Sequence, residues 1–325
     1  MTSAPVVLSG YGPVGKQFAE LLGEQGLGAH VAAIRGASTE ILLEPRDKIA
    51  SREQWRPLAG IEETLDRTGA RVLVQAVPSS AEALDRAAHE ATTALCRGID
   101  VVSATKSHLL ERWRPLQRAA LAGGGRIRIS AATGAALPAA DLARQGVRGL
   151  GCVSVRACPN GTSTFVLDRL GEGWTISGAV REAQARGIAE ADPRADLDGS
   201  DAATKLRLLA GLLWDWDVTD ITVDQARIDA SAADAAVRAA RSGMRLRAVA
   251  SVSLLSPMNV RVALETLAPG DPLFHITGPE KAMVFHCPDA GDIAVQGGRS
   301  SPTGAALALL KDLLNLLGGH EPGFR

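Results

Sequence analysis

The chain of 325 residues predicts an α/β fold in two lobes, a doubly wound parallel sheet followed by a mixed α+β half. Three observations carry that reading. Short apolar runs alternate with amphipathic stretches through the first third, the pattern of a parallel sheet covered on both faces. A glycine-rich turn follows the first apolar run directly. From about Ala139 the texture changes to helices followed by several strand-like runs with little between them.

In the first lobe, Val6–Ser9, Ala29–Arg35, Val72–Val77, Val101–Ala104 and Ile127–Ala131 read as strands, and Pro13–Gly23 and Ala81–Cys96 as helices. In the second, helices are expected at Thr162–Leu170, Ser177–Arg186 and Asp201–Leu213. Strands are expected at Arg245–Leu255, Val260–Leu267, Ala282–Cys287 and Asp292–Gln296. The amphipathic stretch Thr303–Leu317 is expected to return to the first lobe. The division is therefore residues 1–138, completed by a C-terminal helix at 302–325, and a substrate-binding and dimerisation domain at 139–301. The second sheet is suited to an oligomer interface, so a homodimer is expected.

Composition narrows the function. Apolar content of 46% and charged content of 22% are ordinary for a globular chain. A net charge of −1 provides no long-range field for nucleic acid or anionic lipid, and 3% aromatics leave little for base stacking. No apolar run approaches a bilayer's thickness, and "MTSAPVVLSGYG" lacks the basic and greasy regions of a secretion signal. Cys96, Cys152, Cys158 and Cys287 have neither zinc-ligand spacing nor a disulfide framework, and Cys152 and Cys158 read as small buried hydrophobes. The expectation is a cytoplasmic protein with a small-molecule substrate and with neither nucleic acid nor membrane as partner.

"VVLSGYGPVG" sets Gly10, Gly12 and Gly15 immediately after a strand, with Pro13 and Val14 opening the next helix. Gly10 permits the tight turn, Gly12 lets backbone approach a pyrophosphate, and Gly15 lets the helix lie close on the sheet. Pro13 suits the first helical turn, whose amides then face the anion. This is the Rossmann arrangement for a dinucleotide; the bland alternative is a structural Gly-rich turn. The second strand ends in Arg35, with Ser38 close behind, where an acidic residue would select NAD. An Arg there can pair with a 2′-phosphate, favouring NADP with NAD still possible, or it can simply be solvated. Val77, Ser103 and Lys106, at the C-terminal ends of later strands, complete the expected cofactor contacts.

Only six of the 35 basic Lys and Arg residues are Lys, and two stand out. Lys106 follows the strand Val101–Ala104; His108 beside it is expected to begin the next helix rather than act in catalysis. Lys205 closes "GIAEADPRADLDGSDAATKL", four residues after Asp201 and on the same helix face, at the margin of the stripe Leu206, Leu209, Ala210 and Leu213. Partial desolvation would lower the amine's pKa while Asp201 would keep it charged, a balance suited to proton exchange with a reacting oxygen. Each lysine also has a plain reading: Lys205 as one half of a surface ion pair, Lys106 as a solvated loop residue.

Taken together, "GYGPVG", "SATK", "ATGAALP", "PNGTSTFVL", the long acidic motif and "GGRSSPTGAALALLKDL" resemble the homoserine dehydrogenase family, in order and over nearly the whole chain. The acidic motif is the most specific of these. The resemblance implies that Lys106 and Lys205 flank the reacting carbon as proton donor and acceptor, with Asp201 one turn before Lys205. It implies that Glu190 and Asp196 grip a substrate ammonium, and that Thr162, after Asn160–Gly161, contacts substrate. Gly161 is carried over with it. The implied reaction is hydride transfer between a nicotinamide and C4 of L-homoserine, giving L-aspartate 4-semialdehyde or the reverse.

The sequence departs from the family pattern in places. Ser130 replaces a Glu that belongs to a monovalent-cation site, so no metal is expected. Ile188 replaces an aromatic residue, and "GPEKAM" stands where the family often has an Asn-containing loop. With the chain ending at Arg325, no C-terminal regulatory domain is expected. Two rivals remain: a related dehydrogenase acting on another small amino or hydroxy compound, and a non-catalytic dinucleotide sensor. A sensor has no need to keep Lys106, Asp201 and Lys205 together.

Overall fold

A computed structural model describes residues 3–25, 27–298 and 300–318. The chain divides into two compact units, Met1–Ala132 with Pro302–Arg325, and Thr133–Ser301. The first boundary thus falls inside the Gly-rich crossover rather than after residue 138. Among the described residues, no helix is long and apolar enough to cross a membrane.

The first unit is built on seven strands: β1 (Ala4–Ser9), β2 (Ala29–Arg35), β3 (Thr39–Leu42), β4 (Arg56–Pro57), β5 (Val72–Gln75), β6 (Asp100–Ser103) and β7 (Ile127–Arg128). Their order is β4-β3-β2-β1-β5-β6-β7; the five from β2 to β7 are parallel, and β3 and β4 extend the edge antiparallel. The chain leaves β1 for β2 on one side and returns to β5 on the other. That reversal opens a crevice at the C-terminal ends of β1 and β5, where doubly wound sheets bind ligands. The helices are α1 (Pro13–Gln25), α2 (Ile61–Thr68), α3 (Ala81–Cys96), α4 (Ser107–Glu111), α5 (Trp113–Gly123) and the short α6 (Ser130–Thr133).

One sheet face buries Val6, Leu8, Ile34, Val72, Val74 and Val102 against Phe18 and Leu22 of α1. The same core takes Ala306, Leu309, Leu310 and Leu313 from the C-terminal helix Pro302–Leu317, a stripe at helical spacing. That helix is therefore a wall of the first unit; residues 319–325 of the expected 302–325 segment lie outside the described residues. A buried carboxylate fixes it further. Asp312 accepts hydrogen bonds from the Ser130 amide (2.9 Å) and hydroxyl (2.8 Å), and Lys311 lies 3.0 Å away. This capture turns the chain into α6, so β7 stops at Arg128 instead of running to Ala131. β5 likewise ends at Gln75, two residues early, because Ala76 and Val77 leave the sheet to line the Gly10 turn.

The second unit carries a six-stranded sheet of β8 (Ser154–Cys158), β9 (Thr222–Gln225), β10 (Arg245–Ser253), β11 (Ser256–Leu267), β12 (Lys281–Cys287) and β13 (Gly291–Gly297), in the order β13-β12-β8-β10-β11-β9. All pairs are antiparallel except β9 with β11. Its helices are α7 (Ala139–Asp141), which runs into a π turn at Leu142–Gly146, then α8 (Gly161–Gly171), α9 (Ile176–Ala185), α10 (Arg194–Leu197), α11 (Ser200–Trp214) and α12 (Ala230–Arg241); Pro302–Leu317 is α13. Alternate residues of the central strands, among them Val155, Ala157, Ala250, Val252, Met283 and Phe285, pack against Ala202, Ala203, Leu206, Leu209 and Ala210 of α11. This packing fixes the rotation of α11 and so the aim of Lys205.

Replacing Asp312 by Ala leaves the buried Ser130 amide without its acceptor. The expected cost is about 2–4 kcal/mol of unfolding free energy, measured by urea denaturation.

Candidate active site

In the first unit, the glycine turn has the geometry its sequence demands. Gly10 has φ of +101°, and a Cβ there would lie 2.5 Å from the Ala76 carbonyl group. A Cβ on Gly15 would lie 2.1 Å from the Gly10 oxygen, so α1 can approach the strand only because Gly15 has none. Gly12 differs: a Cβ there would meet nothing within 4 Å. Internal packing therefore does not explain Gly12, whereas close approach of a phosphate would. Pro13 begins α1, and the first turn of that helix has no acidic residue to oppose an anion. Val14 lies at the margin of the core. A dinucleotide's pyrophosphate fits this cradle.

Arg35 does not reach such a ligand, which corrects the reading of its strand-end position. Its side chain is 3% exposed, and its donors are taken up inside the unit. Nη1 meets Glu40 at 2.8 Å and the Thr64 hydroxyl, Nε meets Glu90 at 3.2 Å, and Nη2 donates to the Ala59 carbonyl at 3.1 Å. Glu40 and Glu90 are buried, and buried carboxylates need cations. The exposed cation at this strand end is Arg52. Its Nη1 lies 3.3 Å from where a Cβ of Gly36 would be, and its Nη2 donates to the Tyr11 carbonyl at 3.1 Å. The guanidinium also covers the rings of Trp55 (4.9 Å) and Tyr11 (5.8 Å). Ser38 is exposed nearby in sequence. Arg52 escaped sequence reading because it lies 16 residues beyond "HVAAIRG", between β3 and β4, strands too short to give a periodic signal.

At the C-terminal ends of β5 and β6, the Val77 carbonyl accepts from the Thr105 hydroxyl at 2.8 Å. Ser103 is buried, and its hydroxyl is bonded to the Thr105 backbone, so it shapes the turn rather than facing outward. Lys106 precedes α4, half-buried, with its amide donating to the Ser79 hydroxyl at 2.8 Å. His108 lies in α4 and is fully buried, and neither ring nitrogen has a hydrogen-bond partner. Burial alone pushes its pKa down to about 4, so the ring is neutral and takes no part in acid–base work near pH 7.

In the second unit, Asn160 organises the predicted residues. It caps α8, its Oδ1 accepting from the Ser163 amide at 2.9 Å. Its Nδ2 donates to both Asp196 (2.5 Å) and Asp201 (2.7 Å). The Lys205 ammonium donates to Asp201 (2.6 Å) and to the Pro159 carbonyl (2.9 Å), with side-chain exposures of only 12% and 13% for the pair. Burial raises the Asp196 pKa above the usual carboxylate range, partly offset by its hydrogen bonds from Asn160 and Thr162. The Ile188 carbonyl, 3.2 Å from the Thr162 hydroxyl, is the other acceptor within reach of its single proton. Lys205, Asp201, Asp196 and Thr162 thus come together. Glu190 does not join them: it is exposed on the loop after α9, outside this hydrogen-bonded group. Gly161 is a packing requirement, since a Cβ there would lie 2.4 Å from the Pro279 oxygen. Asn160 itself was missed as a functional residue; an Asn before "GTST" signals a cap, and nothing in the sequence shows that its amide nitrogen joins two distant carboxylates. A separate cavity of about 430 Å³, lined in part by Asp168, Arg169, Arg245 and Phe274, holds none of these residues.

Comparison with known proteins decides the family. Residues 138–314, more than half of the chain, match the family model described as homoserine dehydrogenase. The chain belongs to the homoserine dehydrogenase family. Its members are NAD(P)-dependent dehydrogenases that act on a CH–OH group, and that is the class of this enzyme. A homoserine dehydrogenase of Methanocaldococcus jannaschii is 27% identical over 81% of this chain and 77% of its own length. An NAD(+)-dependent homoserine dehydrogenase of Pseudomonas canavaninivorans is 29% identical over 69% of this chain and 64% of its own. A hyperthermophilic archaeal homoserine dehydrogenase, solved in complex with NADPH, shares the fold over the full length of both chains, with a TM-score of 0.81 at 23% identity.

Ser130 stands in place of the Glu of the family pattern, and its amide and hydroxyl are spent on Asp312. In the second unit, the buried Lys281 ammonium donates to the Gly134 carbonyl of the crossover turn at 3.0 Å. Among the described residues, no group of His, Cys, Asp or Glu side chains is arranged to hold a metal ion.

The buried His108 makes this family member acid-sensitive. Its folded pKa of about 4 lies below the ordinary 6.5, so the unfolded chain takes up the proton first. Stability is therefore full above pH 6.5 and falls as pH drops towards 4, by up to about 3 kcal/mol. Urea denaturation of wild type and His108→Leu should show a smaller loss in the variant across that window.

Proposed function

We propose that this protein is an NADP(H)-linked homoserine dehydrogenase that interconverts L-homoserine and L-aspartate 4-semialdehyde. The observation that carries the reading is the Asn160 group, in which one amide holds two carboxylates beside a fixed lysine. Asp196 and Asp201 set two carboxylates side by side on Asn160, which suits an amino acid whose ammonium must be held. Asp196 is the principal contact, because a bound cation relieves the cost of its buried charge. Glu190 is retained as a second acidic contact from the neighbouring loop, and Thr162 as a hydroxyl contact.

Lys205 is the proton-handling group. Asp201 and the Pro159 carbonyl accept two of its three N–H bonds, which leaves one for a substrate oxygen. In the reductive direction the Lys205 ammonium gives its proton to the carbonyl oxygen as the alcohol forms. In the oxidative direction the neutral amine takes the hydroxyl proton. Lys106 is the second amine of the pair implied by the family motif. The bound nicotinamide supplies the hydride chemistry, and Gly10, Gly12 and the start of α1 hold the pyrophosphate.

For the cofactor's 2′-phosphate we assign Arg52, with Ser38, in place of Arg35. The guanidinium is already set by the Tyr11 carbonyl and by Trp55, so little freedom is lost when an anion binds. The cytoplasmic location and the homodimer expected from the second sheet belong to the same reading.

A substrate panel followed by the absorbance of reduced nicotinamide tests the proposal. L-Homoserine should support NADPH formation, and none at millimolar homoserine would reject the reading. A faster reaction with another small amino or hydroxy compound would favour the rival suggested by Ile188. Lys205→Ala should lower kcat by at least ~100-fold with its fold intact by circular dichroism. A variant within a few-fold of wild type would return Lys205 to the plain ion-pair reading. Arg52→Ala should raise KM for NADPH about 10-fold or more and leave KM for NADH nearly unchanged, as expected for one lost charge-assisted hydrogen bond. An equal rise for both cofactors would place Arg52 in a structural role.

A further inference from the structure

We infer that Asp168 is a positioning residue: together with Arg247 it seats the loop 276–280 against the start of α8, and so fixes Asn160 and the two carboxylates that Asn160 joins. The inference rests on the reading of that group as the substrate site. Asp168 lies in α8, about two turns beyond the cap residue Asn160. Its carboxylate has two partners. Oδ1 meets Nη2 of Arg247 at 2.9 Å, and Oδ2 accepts from the Gly278 amide at 3.0 Å. Arg247 is 1% exposed, and its Nη2 also donates to the Ile276 carbonyl at 2.8 Å. A buried guanidinium needs a carboxylate, and this pair ties α8, β10 and the loop together.

The loop is built to transmit that hold, because it is closed on itself. The Glu280 carboxylate accepts from the Thr277 amide (3.0 Å) and hydroxyl (3.2 Å), and the Glu280 amide donates to the Thr277 carbonyl at 3.2 Å. Inside this turn Gly278 takes a left-handed φ of +54°, and the ring of Pro279 fixes the φ that follows. Pro279 bears directly on α8: a Cβ on Gly161 would lie 2.4 Å from the Pro279 oxygen and 2.9 Å from its carbonyl carbon. Gly161 follows Asn160, so the loop backbone packs on the residue next to the amide that holds Asp196 and Asp201. Packing does not fix the loop at Gly278 itself. That residue lines the cavity of about 430 Å³ with Asp168 and Arg247, and a Cβ there would meet nothing within 4 Å. The hydrogen bond from its amide to Asp168 supplies the hold instead. The segment "GPEKAM", where the chain departs from its family pattern, thereby has a role: its first two residues set the entrance of α8.

The chain has three Asn residues, so selective nitrogen-15 labelling of Asn side chains gives three amide pairs in the NMR spectrum, two of them assigned by Asn259→Gln and Asn315→Gln. Asp168→Asn keeps an acceptor for the Gly278 amide but removes the charge facing Arg247; Asp168→Ala removes both. Each should displace the Asn160 pair, the second more than the first, and leave the Asn259 and Asn315 pairs in place. KM for L-homoserine should rise in both variants, by about 3- to 30-fold in Asp168→Ala, with KM for NADP+ within about twofold of wild type, the scale of coupling carried through packed contacts. An unmoved Asn160 pair, or equal movement of all three pairs, would overturn the inference. So would an unaltered KM for homoserine in an enzyme that oxidises it; Asp168 would then be a stabilising contact only. The amide measurement needs no substrate, so a wild type inactive on homoserine would refute the substrate assignment and leave this inference to that measurement. If Asp168→Ala does not fold, Asp168→Asn decides.

Discussion

The second unit's site depends on one side-chain amide. Two carboxylates from separate parts of the chain, Asp196 in α10 and Asp201 in α11, would repel each other if brought together without a shared donor. Asn160 supplies both N–H bonds of that donor while its oxygen caps α8. One residue therefore fixes the start of a helix, the spacing of two acids and, through Asp201, the position of the Lys205 ammonium. The apolar face of α11 completes the arrangement. Leu206 and Leu209 are buried against the sheet, and that burial sets the helix rotation that leaves Lys205 at the margin. Packing and polar geometry here specify the same answer, as is expected of a sequence with one native state.

The legible parts of the fold were those with strong local signals. β2 and α3 match their expected limits, and α1, α8, α11 and α13 fall within a few residues of theirs, because apolar periodicity and cap residues mark them. β3 and β4 were invisible, being four and two residues long on an antiparallel edge. β8 is a central strand, yet its Val-Arg-Ala-Cys run alternates a charged residue with small ones and reads weakly. α12 buries only alanines, Ala232, Ala236 and Ala239, so its apolar face has too little contrast to stand out. The family motif placed Lys205, Asp201 and Asp196 in the sequence; their convergence on Asn160 is a tertiary fact that spacing along the chain does not contain.

Arg35 shows why a strand-end position is not enough to assign a ligand. The motif directs attention to the last residue of β2, and Arg35 occupies it, but the side chain turns inward to neutralise Glu40 and Glu90. Each of those carboxylates has a second arginine, Arg56 and Arg86 respectively, so the network joins β2, β3, β4 and α3. Removing a buried cation from such a group costs several kcal/mol, far more than a solvated strand-end charge contributes. Physical economy therefore commits Arg35 to the fold, and leaves any contact with a ligand to a cation that keeps its exposure, as Arg52 does.

The same contrast between charge spent on structure and charge held for chemistry applies to the lysines. Lys311 pairs with Asp312 beside Ser130 in the first unit, and Lys281 is buried against the crossover turn in the second. In a chain that uses arginine for almost every cation, lysine supplies a compact ammonium in place of a planar fork. A guanidinium could not exchange a proton as an amine can. Lys205, held by Asp201 and the Pro159 carbonyl at the margin of α11, therefore differs from Lys281, which is buried on a backbone carbonyl, in what its ammonium can do.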